Sequence, residues 1–509
     1  MSNINPNSDK SYIDNLDLSN EHNFPKFIKS IEFKPFRHIP DLKINFVHPI
    51  SVITGTNRSG KSTILMALAC SHIEFNKKDV ANGKIRRYTW SDLMLFTDHD
   101  IQIKDWTYYI TYKFGRIEET KRGQRKHTTK KWNGIGKKES QFKDRQVVFV
   151  DMDRILPARH FGNGILKKAK EGVLSNISTN NQQRINDYLS HILEETFSLN
   201  KITHHIDKDI YKYANSNEYS SYNAASGEDV LSKIIIDLVE AARDSLILID
   251  EIEIGLHPKI QRRLMQVIYH IAKEDNKQFI ITTHSPSILS SVPDKARIFI
   301  EKSYNGEFKS IHNISINAAL SKMDSVSYPL VNFFCEDDIA HFIIDKAISE
   351  IQRTKKHFSD LVNVIEIGSG DKTYSCFLHH KNTYGKKKIK TGYACVLDGD
   401  MRNEKDRNNT LKYPVEDCLH FLYSNVAPEK FLVDEYEKLN PNTSLRYHIN
   451  NTNCHCLFEK MNCLSIGINR QDALDICWTS FIKTTNGQNY FIELQQFIIN
   501  TATKFSPDL

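Results

Sequence analysis

The sequence predicts an α/β protein: two α/β blocks in series, closed by a mostly helical C-terminal segment. Three observations carry this. Apolar strand patterns alternate with helical ones over residues 230–282 and again from about residue 329 to 397. A glycine-rich turn separates a strand pattern ending at Ile53 from an apolar helix opening near Ser62. The chain has 509 residues, 40% hydrophobic and 26% charged, which is enough apolar material for several cores and too much for wholesale disorder.

The first two dozen residues are polar and Asn-rich, so residues 1–24 are expected to form a flexible tail without a secretion signal. Strand patterns follow at Phe27–Phe33, Leu42–Phe46 and Ile50–Ile53, then the glycine turn and the helix to about Cys70. Residues 101–150 read as further strands around a charged loop, and a short helical insertion is expected at about 165–222. Helix Val230–Arg243, strand Leu246–Ile249, helix Pro258–Ala272 and strand Phe279–Thr282 complete a first domain at 25–320. The expected boundary lies at Ser321–Tyr328. A second α/β domain spans 329–430, with strands at 331–334, 362–367 and 393–397, and the mostly helical region covers 431–509. No internal repeat is visible.

Composition excludes some classes. The longest apolar runs, such as Leu246–Ile249, fall far short of the ~20 residues that span a bilayer, so no membrane partner is expected. Nine cysteines over this length are no disulfide framework, and a cytoplasmic chain with reduced thiols is expected. A net charge of +6 names no partner.

The glycine turn reads Gly55-Thr56-Asn57-Arg58-Ser59-Gly60-Lys61-Ser62-Thr63. It fits G-x-x-x-x-G-K-[ST], in the strand-to-helix context that phosphate binding needs. Glycines let backbone N–H groups curl around a triphosphate, and the helix N-terminus adds positive potential. Gly55, Asn57, Arg58, Ser59, Gly60, Lys61, Ser62 and Thr63 are therefore expected to bind ATP, with Lys61 on the β/γ-phosphates and Ser62 on Mg²⁺. Leu246-Ile247-Leu248-Ile249 ends in Asp250-Glu251: Asp250 is expected at Mg²⁺, and Glu251 at the attacking water. His284, after the next strand, is placed to sense the γ-phosphate. Ser226-Gly227-Glu228 opens a helix about two dozen residues before Asp250 and offers an anion site at its N-terminus.

This order resembles the ATP-binding-cassette ATPases, in which the Ser226-Gly227 motif completes the opposite subunit's site. Phe36-Arg37 before the loop is a further match. Glu253-Ile254-Gly255-Leu256-His257-Pro258 resembles the E-x-G-L-H-P run of the overcoming-lysogenization-defect (OLD) family. Too few residues separate Lys61 from Asp250 to hold a long coiled coil, so chromosome-organising and double-strand-break repair relatives match poorly.

Past residue 329, Phe333-Phe334-Cys335 runs into Glu336-Asp337-Asp338, and Tyr393-Ala394-Cys395-Val396-Leu397 runs into Asp398-Gly399-Asp400. A tight turn, Gly368-Ser369-Gly370-Asp371-Lys372, lies between them. Acids at the ends of adjacent parallel strands converge on one crevice, and their repulsion calls for Mg²⁺ or Mn²⁺. Two such ions can activate a water and stabilise the leaving oxygen of a phosphodiester. The pattern resembles the TOPRIM domain of topoisomerases, primases and OLD-family nucleases. That resemblance makes Glu336, Asp398 and Asp400 catalytic metal ligands and adds Glu416 as the later acid. Ala340 stands where the family often has Asp, and Gly487 precedes Gln488 where nuclease members tend to carry a lysine nearby; Lys483 is a loose candidate for it.

Residues 113–145 carry twelve Lys/Arg against four Asp/Glu with aromatics interleaved, the composition of a flexible hairpin on nucleic-acid phosphates or of a solvated loop. Lys386, Lys387, Lys388 and Lys390 make a similar footprint. Cys454-His455-Cys456, with Cys463 and His448, hints at zinc, though reduced thiols fit the spacing better.

The whole order resembles an OLD-family ATPase–TOPRIM nuclease: an ABC-type P-loop domain, a TOPRIM domain and a helical C-terminal segment. The resemblance implies a cytoplasmic bacterial anti-phage effector akin to Gabija-type and retron-associated proteins. It would be a homodimer or higher homo-oligomer acting on DNA, with a retron reverse transcriptase–msDNA complex as a candidate partner. Two alternatives stand beside it: an ATPase sensor or scaffold whose TOPRIM domain does not cut, and a RecF-like repair ATPase.

Overall fold

The computed structural model describes all residues except 1–3, 79–84, 98, 157, 159–162, 179, 206–207, 304, 325–328, 356–357, 387–390 and 506–509. Part of the Ser321–Tyr328 boundary and Lys387, Lys388 and Lys390 of the basic run lie outside the described residues. The chain divides into two compact units, Met1–Ala319 and Leu320–Leu509.

The first unit is built on an eight-stranded sheet. Its six central strands run parallel in the order Arg297–Lys302, Ile50–Gly55, Gln278–Thr282, Leu246–Ile249, Phe142–Val150 and His72–Lys78. Antiparallel edges, Phe308–His312 and Ile85–Arg87, close it on either side. Ile50–Gly55, Leu246–Ile249 and Gln278–Thr282 are buried at every position, which is why Leu246–Ile249 and Phe279–Ile281 read as continuous apolar runs. Register places Ile249 beside Ile281 and Val150, and Ile281 beside Val52, so the chain leaves these strands at one edge of the sheet. That edge is where the phosphate loop and the carboxylates come together.

A five-stranded antiparallel sheet, ordered Leu42–Asn45, Lys26–Phe33, Trp106–Phe114, Ile117–Arg125 and Trp132–Gly134, flanks it. Its aromatic core centres on Phe36, whose ring lies 5.0–6.2 Å from those of Phe33, Trp90, Trp106, Tyr108 and Trp132.

Three expectations are corrected here. Residues 6–14 are not a flexible tail but a helix, Pro6–Asp14, started by the Asn5 cap. Asp9 is buried and paired with His270 at 2.8 Å and Lys273 at 2.7 Å, and Asp14 meets His48 and Tyr269. His270, Lys273 and Tyr269 lie some 260 residues downstream, beyond any local pattern. Much of the 113–145 stretch is strand (Ile117–Arg125, Trp132–Gly134 and the start of Phe142–Val150) rather than a flexible hairpin, and several of its cations serve the fold. Lys113 donates to the carbonyls of Leu18, Asn20 and Asn23, Arg145 is buried against Asp244 O, and Arg125 lies over Phe96 at 4.1 Å. The 165–222 insertion is half β. Helices Asn163–Lys170 and Gln182–Leu193 precede an antiparallel sheet of Ser198–His205, Lys208–Ala214 and Glu218–Ser220. Its polar alternation hid strands in which Leu199, Tyr211 and Tyr213 are buried, as is Ile210 on the opposite face with Ala158 and Ile165.

The second unit holds a four-stranded parallel sheet ordered Val362–Glu366, Val331–Cys335, Gly392–Leu397 and Leu419–Phe421. Helices Asp338–Thr354 and Gly370–Thr383 connect its strands. Five helices from Pro428 to Phe505 follow, the last being Thr485–Phe505. Among the described residues no helix is long and apolar enough to cross a membrane.

Candidate functional site

The phosphate loop leaves strand Ile50–Gly55 and enters helix Lys61–Ala69. Gly60 caps that helix at φ +91°, and a Cβ there would lie 2.6 Å from Ile39 Cδ1, so only glycine lets the loop close. Lys61 is buried and donates to Gly55 O at 3.0 Å and Thr56 O at 3.2 Å, holding the loop curled. Burial lowers its pKa, against the pull of Glu251, Asp250 and Glu253. A pocket of about 350 Å³ lies over the loop, lined by Asn57 to Thr63, His38 and Glu251. Arg37 donates to Thr63 Oγ1 at 3.2 Å, so Thr63 is engaged within the chain.

The acids arrive from the neighbouring strands. Asp250 is buried and accepts from Thr282 Oγ1 at 2.6 Å. Glu251 adopts φ +50°, a left-handed conformation that costs a side-chain-bearing residue about 1–2 kcal/mol. Its N–H donates to Thr282 Oγ1 at 2.8 Å, and its Oε1 lies 3.4 Å from His284 Nε2. Burial raises the Glu251 carboxyl, but the His284 bond and the charges of His284 and Lys61 outweigh it and leave it below the usual range. Glu253 accepts from the His284 N–H at 2.6 Å and Thr283 Oγ1 at 2.7 Å, and burial raises it. The structure thus brings Gly55, Asn57, Arg58, Ser59, Gly60, Lys61, Ser62, Thr63, Asp250, Glu251 and His284 to one sheet edge.

Ser226 and Gly227 are not in that pocket. They open helix Ser226–Glu240, where a Cβ on Gly227 would meet Gly255 O at 2.5 Å. Gly227 and Glu228 line a separate pocket of about 540 Å³ with Gly255, Leu256 and His257.

The cradle fits a nucleotide. Ser59 Oγ is buried with no hydrogen-bond partner among the described residues, and Ser59 lines the pocket of about 350 Å³ over the loop. Ser62 and Asp250 offer the oxygen donors that suit Mg²⁺.

In the second unit, Glu336 and Asp398 leave adjacent parallel strands in which Phe334 is level with Cys395. The Asp398 N–H donates to Glu336 Oε1 at 2.8 Å. A Cβ on Gly399 would lie 2.3 Å from Ser424 O, so the residue between Asp398 and Asp400 has to be glycine. Burial, then the neighbouring acids, pushes Glu336 up to about 7 and Asp398 up to about 9. Asp398 Oδ1 is buried with no partner among the described residues. Two acids pressed together with an orphaned oxygen fit a hard divalent cation. Asp400 is exposed beside them, within reach of both their fields.

Glu416 is not brought into this group. Lys381 pairs with one of its oxygens and Tyr374 donates to the other at 3.1 Å. Asp337 caps helix Asp338–Thr354 through the N–H groups of Ile339 and Ala340. Among the described residues no three His, Cys, Asp or Glu side chains are arranged to hold a metal, the Cys454–Cys456 turn included. Sequence reasoning missed Glu429, a carboxylate 2% exposed whose charge adds to the rise of Asp398 and which pairs with His455 Nδ1 at 2.7 Å. It opens a helix as one of many surface-like acids, and no sequence signal marks it.

Residues 98–290 match the family described as "AAA domain, putative AbiEii toxin, Type IV TA system". The chain therefore carries an AAA-family ATPase domain, on a P-loop fold with mixed sheets. A curated relative, "Retron Vc95 probable ATPase" of Vibrio cholerae serotype O1 biovar El Tor, is 26% identical over 243 residues. The match covers 38% of this chain and 46% of that relative, so it spans less than half of the relative's length. Among solved structures, the SMC head domain from Thermotoga maritima is 13% identical, with 56% of this chain and 98% of that one covered at a TM-score of 0.36. RecF-ATPrS is likewise 13% identical, with 56% and 98% covered at a TM-score of 0.34.

Proposed function

We propose that the chain is an ATP-hydrolysing, metal-dependent DNA endonuclease of the OLD type, acting as a homo-oligomeric anti-phage effector. The observation that supports cutting is the Glu336–Asp398 pair, which brings a buried and a half-buried carboxylate and an unpartnered buried oxygen to the ends of adjacent strands. Recognition alone has no need of such a pair. In the ATPase unit, Lys61 and the loop N–H groups bind the triphosphate, and Glu251, held below the usual carboxylate range, stays ionised to accept a proton from water. Ser62 and Asp250 would hold Mg²⁺, which when bound would offset the phosphate charge. His284 orients the Glu251 carboxylate. Ser226 and Gly227 lie outside their own chain's phosphate pocket, as a role in an opposite subunit's site requires. The name of the Vibrio cholerae relative makes a retron reverse transcriptase–msDNA complex the partner to test.

The test is cleavage of plasmid and linear DNA with Mg²⁺ or Mn²⁺, with and without ATP. Wild type should cut; Asp398→Ala should not, while its ATP hydrolysis persists. If no nucleic acid is cut under any condition, a second reading takes over, in which this unit binds a partner or nucleic acid without cleaving it. The pairing of Glu416 with Lys381 favours that reading, since it withdraws one of the expected ligands. ATP hydrolysis without DNA cleavage is also what a RecF-like repair ATPase would give.

A further inference from the structure

Glu251 is clamped from both sides of its backbone. Its N–H is taken by Thr282 Oγ1, and its carbonyl accepts from Arg154 at 2.6 Å. Arg154 is 6% exposed and lies in a 3₁₀ turn, Met152–Ile155, that follows strand Phe142–Val150. Its other terminal nitrogen donates to Asp151 O at 2.6 Å, while its Nε has no partner among the described residues. A buried guanidinium is costly to desolvate, and here it is surrounded by Asp151, Asp250 and Glu253. Lys77, from strand His72–Lys78, pins one side of the turn through Asp151 and Asp153. The other side is held by Lys233 on helix Ser226–Glu240, which donates to Arg154 O at 3.2 Å and Leu156 O at 3.0 Å. Lys233 is itself steered by Asp229 at 2.8 Å, one turn back toward Ser226.

We propose that Arg154 is a positioning residue that holds Glu251 in its left-handed backbone conformation, and that Lys233 ties this hold to the position of the Ser226 helix. Engagement of Ser226 and Gly227 by a second copy of the chain then reaches Glu251 through two hydrogen-bonded links, Lys233 to Arg154 and Arg154 to Glu251. The inference rests on the ATPase reading but not on the nuclease reading.

The experiment uses the full chain with ATP and, separately, without nucleotide. Arg154→Met should lower kcat by about tenfold or more, with KM and ATP affinity changed by less than about twofold. Arg154→Lys, which can still reach one carbonyl, should recover part of the loss. Lys233→Met should lower kcat by about threefold, because Arg154 remains but its turn is loosened. In nucleotide-free protein, hydrogen exchange at the Glu251 and Ile252 amides should accelerate by about tenfold in Arg154→Met while the strand Leu246–Ile249 stays protected. Unchanged kcat, or kcat and ATP affinity falling together, overturns the inference. If Arg154→Met does not fold, Arg154→Lys and Lys233→Met decide by the same readouts. Wild type that binds ATP and never hydrolyses it overturns the ATPase reading and this one together; active wild type with an equally active Arg154→Met overturns only this one.

Discussion

Asp398→Asn should stabilise the metal-free protein. At about pH 7.5 an ordinary aspartate is ionised, yet burial and the neighbouring Glu336 push the Asp398 pKa up to about 9. Folding therefore obliges Asp398 to take up a proton that the unfolded chain has released. Every tenfold change in a protonation equilibrium is worth about 1.4 kcal/mol, so the uptake costs up to about 5 kcal/mol at that pH, and about 2 kcal/mol if relaxation halves it. Asparagine keeps the shape and removes the charge. For a unit of this size, a gain of about 2–5 kcal/mol raises the unfolding midpoint by about 5–15 °C. The sign with pH follows: the folded state holds more protons, so wild-type stability falls as pH rises from about 4 to about 9, and the variant's profile is flatter. Mn²⁺ at about a hundred times its Kd should raise wild type by about 2.7 kcal/mol and leave the variant nearly unmoved. The assay is calorimetry in chelator and in Mn²⁺ at three pH values. An Asn variant less stable than wild type in chelator at pH 7.5 would refute the reasoning.

Glu251→Gln should bind ATP like wild type and lower kcat by about a hundredfold or more, since the amide cannot take the water's proton; nucleotide affinity and turnover measured side by side check it. Ser226→Arg should block hydrolysis while a single chain still binds ATP, and wild-type turnover there would count against a site shared between copies. Arg122, Lys130 and Lys131 are exposed, unlike the buried Arg125. Reversing those three charges should weaken DNA binding across sequences and reduce the salt slope by about one unit per lost contact. Asp9→Ala removes the buried partner of His270 and Lys273 and should cost about 2–3 kcal/mol, read as faster proteolysis of the first two dozen residues at neutral pH. The Asp9 carboxyl, raised by burial but brought below the usual range by Lys273 and His270, contributes stability above the ordinary carboxylate range that is lost as pH falls through its folded pKa.

The phosphate loop was legible because its function is written locally: Gly60 must be glycine, Lys61 must follow it, and a strand and helix must flank them. Strands buried on both faces, such as Leu246–Ile249, were legible for a similar reason, since a wholly buried strand has no polar face to confuse the pattern. Half-exposed elements were not. Ser198–His205 and Lys208–Ala214 alternate polar and apolar residues among lysines and histidines, and the burial of Leu199 and Tyr213, which pair across this hairpin, depends on what packs against it, Phe197 and Asp229 included.

What the sequence alone determined is the chemistry available at each strand end: a loop shaped for phosphate, Asp250 and Glu251 beside it, and Glu336 and Asp398 each closing an apolar run. Which of these groups meet was decided only by the tertiary structure. Parallel register sets Glu336 against the Asp398 backbone, the 3₁₀ turn carries Arg154 to the Glu251 carbonyl, and Lys381 takes Glu416. A cation's partner among 62 acidic residues depends on three-dimensional proximity and desolvation, and neither quantity is a function of local sequence.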